Sequence, residues 1–243
     1  MKPSKSRLVH TRKRKRVENN PNLVPIVERT NALTLEQLKI NYLPDGSSCL
    51  KYRRDNSKKT WLISLETSKS ISDKDLDACL QIIESTSVDA YRRSELGWHP
   101  AEKKKEMQLP DMRYLLVREA NSEGHQNKAN QDSIVNGFLS FMVTYEDGKE
   151  VIYCYEVHLS EELRGIKLGK HLMMIMEQVG TQIKLEKAML TVFVKNEQAR
   201  KFYEKIGYDV DEYSPQPKKL RGGVIKEPSY VILSKPLKAS KGQ

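Results

Sequence analysis

The sequence predicts an α+β (mixed α/β) fold, one mostly antiparallel twisted sheet flanked by helices on both faces. Two β-rich runs, residues 134–145 and 151–159, flank Glu146-Asp147-Gly148-Lys149, and Asp-Gly between such runs marks a hairpin. Residues 188–194 are apolar on both faces and follow a helical pattern, so they belong inside the sheet. Helical and strand periods then alternate, which is the order of a mixed domain.

The elements follow in order. Leu33, Leu35, Leu38 and Ile40 predict a short amphipathic helix, and residues 61–65 predict a strand after the turn-rich Asp45-Gly46-Ser47-Ser48. Ser72 or Asp73 caps a helix carrying Leu76, Leu80, Ile83 and Tyr91. Gly97 closes this block. Pro100 opens a short charged helix to Met107, and residues 113–119 form a strand. Residues 121–133 are a polar loop. Leu168, Leu172, Ile175, Met176 and Val179 mark a helix ending at Gly180. Asn196 caps a helix with Ala199, Phe202, Tyr203 and Ile206 on one side, closed by Gly207 in a left-handed cap. Residues 230–233 form the last strand. The expected division is a disordered basic tail over 1–22, a helical extension over 23–60, the catalytic domain over 61–235 and a second disordered tail over 236–243.

The net charge of +10 is concentrated at the ends. Residues 1–16 carry eight Lys or Arg and no acid, and residues 217–243 carry seven against Glu227, which leaves the middle near −4. A mildly acidic folded part favours a cationic substrate over nucleic acid. Arg12-Lys13-Arg14-Lys15-Arg16 has the composition of a nuclear localisation signal, and the arm is also suited to a ribosome or nucleic acid. The three cysteines, Cys49, Cys79 and Cys154, have no CxxC spacing and read as reduced thiols. No apolar run approaches the roughly 18 residues of a membrane span, and residues 1–16 lack the apolar stretch of a secretory signal. A monomer working in nucleus and cytoplasm, with no membrane partner and no metal, is the expectation.

The chemistry gathers after residue 152. Tyr153-Cys154-Tyr155-Glu156-Val157-His158-Leu159 leads through Leu163-Arg164-Gly165-Ile166-Lys167-Leu168-Gly169-Lys170 into a helix. Free amides and the positive end of the dipole make such a helix start an anion site, and glycine lets a pyrophosphate approach. After the next strand comes Asn196-Glu197-Gln198-Ala199-Arg200-Lys201-Phe202-Tyr203-Glu204-Lys205-Ile206-Gly207-Tyr208. Together the two segments resemble the GNAT acetyltransferases, which join an Arg/Gln-x-x-Gly-x-Gly/Ala loop to an Asn-x-x-Ala-x-x-Phe/Leu-Tyr helix in this order. One position departs: Lys167 stands where the middle glycine is expected, so the loop is expected to keep ordinary backbone angles there. Leu96-Gly97-Trp98, the stretch from Tyr153 to Val157, Met189-Leu190-Thr191-Val192-Phe193 and Ser229-Tyr230-Val231-Ile232-Leu233 narrow the resemblance to the N-alpha-acetyltransferase D branch. That branch acetylates the N-terminal Ser of histone H4 and histone 2A, which begin Ser-Gly-Arg-Gly.

The resemblance implies the GNAT fold and acetyl-CoA as co-substrate, with Val157, His158 and Leu159 along the thioester and pantetheine arm. Arg164, Gly165, Ile166, Lys167, Leu168, Gly169 and Lys170 would hold the pyrophosphate, and Asn196 would contact the same molecule. Glu156 is the candidate base, directly or through a water. Tyr203, or a tyrosine of the Tyr153 and Tyr155 pair, would protonate the departing thiolate. For the peptide, Tyr91, Trp98, Tyr155, Thr191, Ser214 and Tyr230 would wall a small pocket. Relatives carry an Asp near Thr144, a further candidate for the peptide site, and an aromatic near Leu96; if that Asp grips the substrate, Glu146 or Asp147 must substitute or the contact is absent. Alternation puts Tyr153 and Tyr155 opposite Cys154, Glu156 and His158, so they converge only if the strand is distorted, and the resemblance implies a β-bulge between Tyr155 and Leu159 that would do so. A lysine or small-amine acetyltransferase, and a chromatin-binding protein with an inactive fold of this kind, are the competing readings.

Overall fold

The computed structural model describes residues 24–43, 48–54, 59–95, 97–120, 133–219, 221, 223 and 225–237. The Arg12 to Arg16 run, Leu96, the turn at 45–47 and most of the 121–133 loop lie outside them. In chain order the elements are α1 (Ile26–Asn31), α2 (Leu35–Tyr42), β1 (Lys51–Arg53), β2 (Thr60–Thr67), α3 (Asp73–Arg92), α4 (Pro100–Met107), β3 (Arg113–Glu119), β4 (Gly137–Glu146) and β5 (Lys149–Leu159). There follow α5 (Leu168–Ile183), β6 (Lys187–Phe193), α6 (Glu197–Lys205), β7 (Asp209–Val210), β8 (Lys218–Lys219), β9 (Ile225–Lys226) and β10 (Tyr230–Pro236).

One sheet runs β1-β2-β3-β4-β5-β6-β10-β7, and β8 pairs separately with β9. Every pairing is antiparallel except β5 with β6. Parallel neighbours need a crossover, and α5 supplies it. One face packs Ile63, Leu65, Leu115, Leu139, Phe141 and Ile152 against α1, α2 and α5. The other packs Leu116, Phe138 and Met142 against α3 and α4. β6 presents Ala188, Leu190 and Val192 to the first face and Met189 to the second, as its uniform apolarity predicts.

Local chemistry sets most of the element ends. Ser72 Oγ accepts from the Asp75 amide at 3.1 Å, and the Asn196 side chain accepts from the Ala199 amide at 3.1 Å. Asp147 and Gly148 have φ of 47° and 79°, the left-handed pair a two-residue hairpin turn requires. The N-terminal helices are tied to the sheet: the buried Arg113 guanidinium donates to Asn31 Oδ1 and the Thr30 carbonyl, and Tyr145 donates to Glu28 at 2.8 Å.

Three expectations change. Ile40 is 80% exposed, because it stands two positions, about 200° of helix, beyond the buried Leu38. Helix α5 does not stop at Gly180 but runs to Ile183, and Lys184 with φ 71° ends it. Gly180 is a close-approach residue instead: a Cβ there would lie 2.9 Å from Ile152 Cγ2 and 2.6 Å from Leu237 Cδ1. The last strand extends past Leu233 to Pro236, opposite Lys187.

Candidate active site

The site is made by a break in β5. Its register with β4 shifts between Ser140 and Phe141, which pair with Glu156 and Cys154, leaving Tyr155 as the extra residue. The bulge therefore sits at the upstream limit of the expected interval. Its effect on the faces is the expected one. Tyr153 and Tyr155 face the α3 and α4 side, and after the extra residue Glu156 and His158 face that side too. Cys154, Val157 and Leu159 stay with the α5 side. The parallel ladder to β6 stops at Cys154 and Leu190, whereas β10 stays paired to β6 as far as Phe193. Strands β5 and β6 thus part at the bulge, and their backbone groups beyond it face the gap.

The gap continues into a cavity of about 1070 Å³ that meets both the bulge and the 164–170 junction. Glu156, buried, is the centre of its polar network. Tyr91 donates to Oε1 at 3.0 Å, Lys103 donates to the same oxygen at 2.8 Å, and His158 Nε2 lies 2.7 Å from Oε2. His158 Nδ1 lies 2.7 Å from Thr86 Oγ1, and Lys103 also pairs with Glu106 at 3.0 Å. Burial alone would favour the neutral acid. The Lys103 ammonium and the His158 ring outweigh it and hold the Glu156 carboxyl well below the usual carboxylate range. Burial pushes the Tyr91 hydroxyl up, and the Glu156 charge adds to that, so Tyr91 remains a donor at neutral pH.

At the junction, α5 starts without a side-chain cap and without an acid in its first turn. The amides of Leu168, Gly169 and Lys170 have no acceptor within the helix. The first bond returning to the cap runs from the His171 amide to the Lys167 carbonyl. Gly165 has φ 73°. Lys167 corrects the sequence expectation: its φ of 66° and ψ of 7° are left-handed, a conformation that costs an L-residue about 1–2 kcal/mol. Lys167 and the first residues of α5, Leu168, Gly169 and Lys170, border the cavity.

The other expected residues divide. Tyr91, Trp98, Tyr153, Tyr155, Thr191 and Tyr203 border the cavity. So do Val157, His158, Leu159, Arg164 and Asn196, and every residue of the 164–170 junction except Ile166. Tyr153 shares a 2.5 Å hydrogen bond with Thr191, and burial pushes the Tyr203 hydroxyl far up, so both are proton donors at neutral pH. Ser214 and Tyr230 do not border it: the Ser214 hydroxyl accepts the Ile232 amide at 3.0 Å, and Tyr230 packs with Tyr153 behind the wall. Thr144 pairs with Val151, at the end of the hairpin remote from Glu156; Glu146 ends β4 opposite Lys149, and Asp147 opens the turn beyond it. In an antiparallel pair the late residues of β5 face the early residues of β4, so Ser140 is the β4 residue beside Glu156.

Lys103, Thr86 and Phe193 are site residues the sequence did not single out. Lys103 stands one turn before the buried Met107, the only signal separating it from Lys104 and Lys105. Phe193 meets Tyr91 edge-on at 5.2 Å, and Tyr91 meets Trp98 at 5.4 Å. Gly137 pairs with Leu159, and a Cβ there would lie 2.9 Å from the His158 carbonyl and 2.6 Å from Leu159 Cδ2. Gly137→Ala should therefore displace β5 and cost about 1–3 kcal/mol, read as a lower urea midpoint; an unchanged midpoint would show that the strand yields freely.

A sheet split beside a bulge, an anion-ready helix start and a carboxylate between them define an acyl-transfer site for a phosphate-bearing donor. The model of the acetyltransferase (GNAT) family matches residues 87–208, half of the chain, and the chain belongs to that family. Its co-substrate is acetyl-CoA, and the uncapped amides of α5 with Arg164, Lys167 and Lys170 around them suit its pyrophosphate. N-alpha-acetyltransferase 40 of Saccharomyces cerevisiae is 28% identical over 179 residues, 64% of this chain and 59% of the yeast protein. Among solved structures, a NatC complex bound to Gag peptide and CoA is 15% identical with a TM-score of 0.48, covering 72% of this chain and 99% of that one. A PaiA N-acetyltransferase from Thermoplasma acidophilum in complex with coenzyme A is 17% identical, with a TM-score of 0.45 over 72% and 98%.

Proposed function

We propose that this acetyltransferase modifies the α-amine of an N-terminal serine, with the Ser-Gly-Arg-Gly tails of histone H4 and histone 2A as acceptors. The observation that carries the reading is the bulge at Tyr155, which aims Glu156 and His158 at a pocket bordered by Tyr91, Trp98 and Tyr155. Aromatic walls favour a small first side chain, and the ionised Glu156 favours a cationic amine. The name of the yeast relative and the Tyr-Cys-Tyr-Glu-Val stretch point the same way, although the alignment spans only 59% of that protein.

Bound acetyl-CoA would supply an acyl group activated as a thioester. An α-amine titrates near ~8, so an appreciable fraction is already free base at neutral pH. Glu156 holds the arriving amine by charge and hydrogen bonding. His158 Nε2–H, donating to Oε2 at 2.7 Å, holds the carboxylate in place. Once the C–N bond forms, the amine nitrogen is strongly acidic and gives its proton to Glu156, directly or through a water, as the C–S bond breaks. Tyr153 or Tyr203, both kept protonated by burial, gives a proton to the departing thiolate.

The test is to incubate the protein with acetyl-CoA and a peptide beginning Ser-Gly-Arg-Gly, then locate the acetyl group by mass spectrometry. Acetyl on the α-amine is expected. Acetyl on lysine would favour a lysine acetyltransferase, and no transfer would favour a binding protein with an inactive site; either result sinks the serine reading.

A further inference from the structure

The edge of the sheet reaches the pyrophosphate junction from far away in sequence. The Tyr52 hydroxyl, on β1, donates to the Ile166 carbonyl. His171, in the first turn of α5, has Nε2 2.8 Å from the Cys49 carbonyl and donates its N–H there. The two rings touch, with centroids 5.0 Å apart and planes tilted by 43°. Residues 49–52 therefore grip the chain on both sides of Lys167.

The geometry matters because a peptide unit is planar. The Ile166 carbonyl and the Lys167 amide share one plane, and the orientation of that plane about the N–Cα bond is the φ of Lys167. Holding the carbonyl from one side and α5 from the other therefore selects the left-handed conformation of a residue that would otherwise leave it. In that conformation Leu168, Gly169 and Lys170, whose amides are free, border the cavity.

We propose that Tyr52, assisted by His171, is a positioning residue for acetyl-CoA: it fixes the peptide plane before Lys167 and so aims the amides of Leu168, Gly169 and Lys170 at the pyrophosphate. The proposal rests on the family's co-substrate and not on the identity of the acceptor. Glycine enters positive φ freely, so it would not need the grip.

Two backgrounds test it by calorimetric titration of the full chain with CoA. One hydrogen bond is worth roughly a factor of two to ten, so Tyr52→Phe should weaken CoA binding and raise the KM for acetyl-CoA by about that much. At saturating acetyl-CoA, kcat should stay within about twofold, since Tyr52 touches no reacting atom. In the Lys167→Gly background the same Tyr52→Phe change should weaken CoA binding by less than about twofold. Unchanged CoA affinity in Tyr52→Phe overturns the proposal. An equal or larger loss in the Lys167→Gly background also overturns it, since Tyr52 would then serve general stability. The CoA titration contains no acceptor, so a failed peptide assay leaves its outcome intact.

Discussion

Glu156→Gln should lower kcat by about a hundredfold while leaving the affinity for CoA within about twofold of the parent. The amide keeps the shape of the side chain and can still accept from Tyr91. It loses the charge that draws in the cationic amine and the basicity that takes its proton. The 164–170 junction, proposed to hold acetyl-CoA, borders the same cavity without touching the Glu156 network, so CoA binding should not register the change. Steady-state kinetics at saturating acetyl-CoA, with calorimetry on CoA alone, separates the two quantities. A variant with parental kcat at every pH would remove Glu156 from the chemistry.

Lys103→Met should destabilise the protein by about 3 kcal/mol at pH 7, because it leaves the buried Glu156 carboxylate without its nearest ammonium. The pH dependence carries a sign that identifies the cause. In the parent, the Glu156 carboxyl lies below its unfolded value, so its stabilising contribution is complete above the unfolded value and is lost only as the pH falls toward the folded one. Without Lys103, burial acts with less opposition and lifts both Glu156 and Glu106, the latter already raised by burial in the parent. The deficit should be largest at neutral pH and shrink on acidification as these groups protonate. The acid limb of kcat/KM should move upward with them. Urea unfolding at pH 7 and pH 5 reads the first effect, and a deficit that grows toward pH 5 would place the damage elsewhere.

The fold was legible where local chemistry decides local structure. Asp147-Gly148 encodes its own turn, Ser72 and Asn196 their own caps, and the run of residues around Leu190 its place inside the sheet. The cavity wall was legible for the same reason, since the junction and α6 lie on contiguous segments. The rest depended on partners distant in the chain. The bulge is a mismatch between β4 and β5, and nothing in β5 alone fixes which residue is extra. Nothing in β4 alone says that the antiparallel register sets Thr144 at the end of the hairpin remote from Glu156. Lys167 looks unsuited to positive φ until Tyr52 is seen holding the preceding carbonyl across 114 positions. Lys103 sits in a run of three lysines, and only the packing of α4 under Tyr91 selects it.

The short β5–β6 ladder also has a mechanical meaning. Strands β1 to β5 form one plate, and β6, β10 and β7 form a second. Between the plates the ladder is short, four pairs from Val151–Lys187 to Cys154–Leu190 extended by the Glu186 amide donating to the Glu150 carbonyl, with α5 bracing one side. Any breathing of the gap must flex at that seam, whose last pair lies two residues before Glu156, and the junction proposed for the donor rides at the start of the brace itself. A load applied by a ligand between the plates therefore bears on α5, which at the buried Gly180 packs so tightly on β5 that an added Cβ would lie 2.9 Å from Ile152 Cγ2.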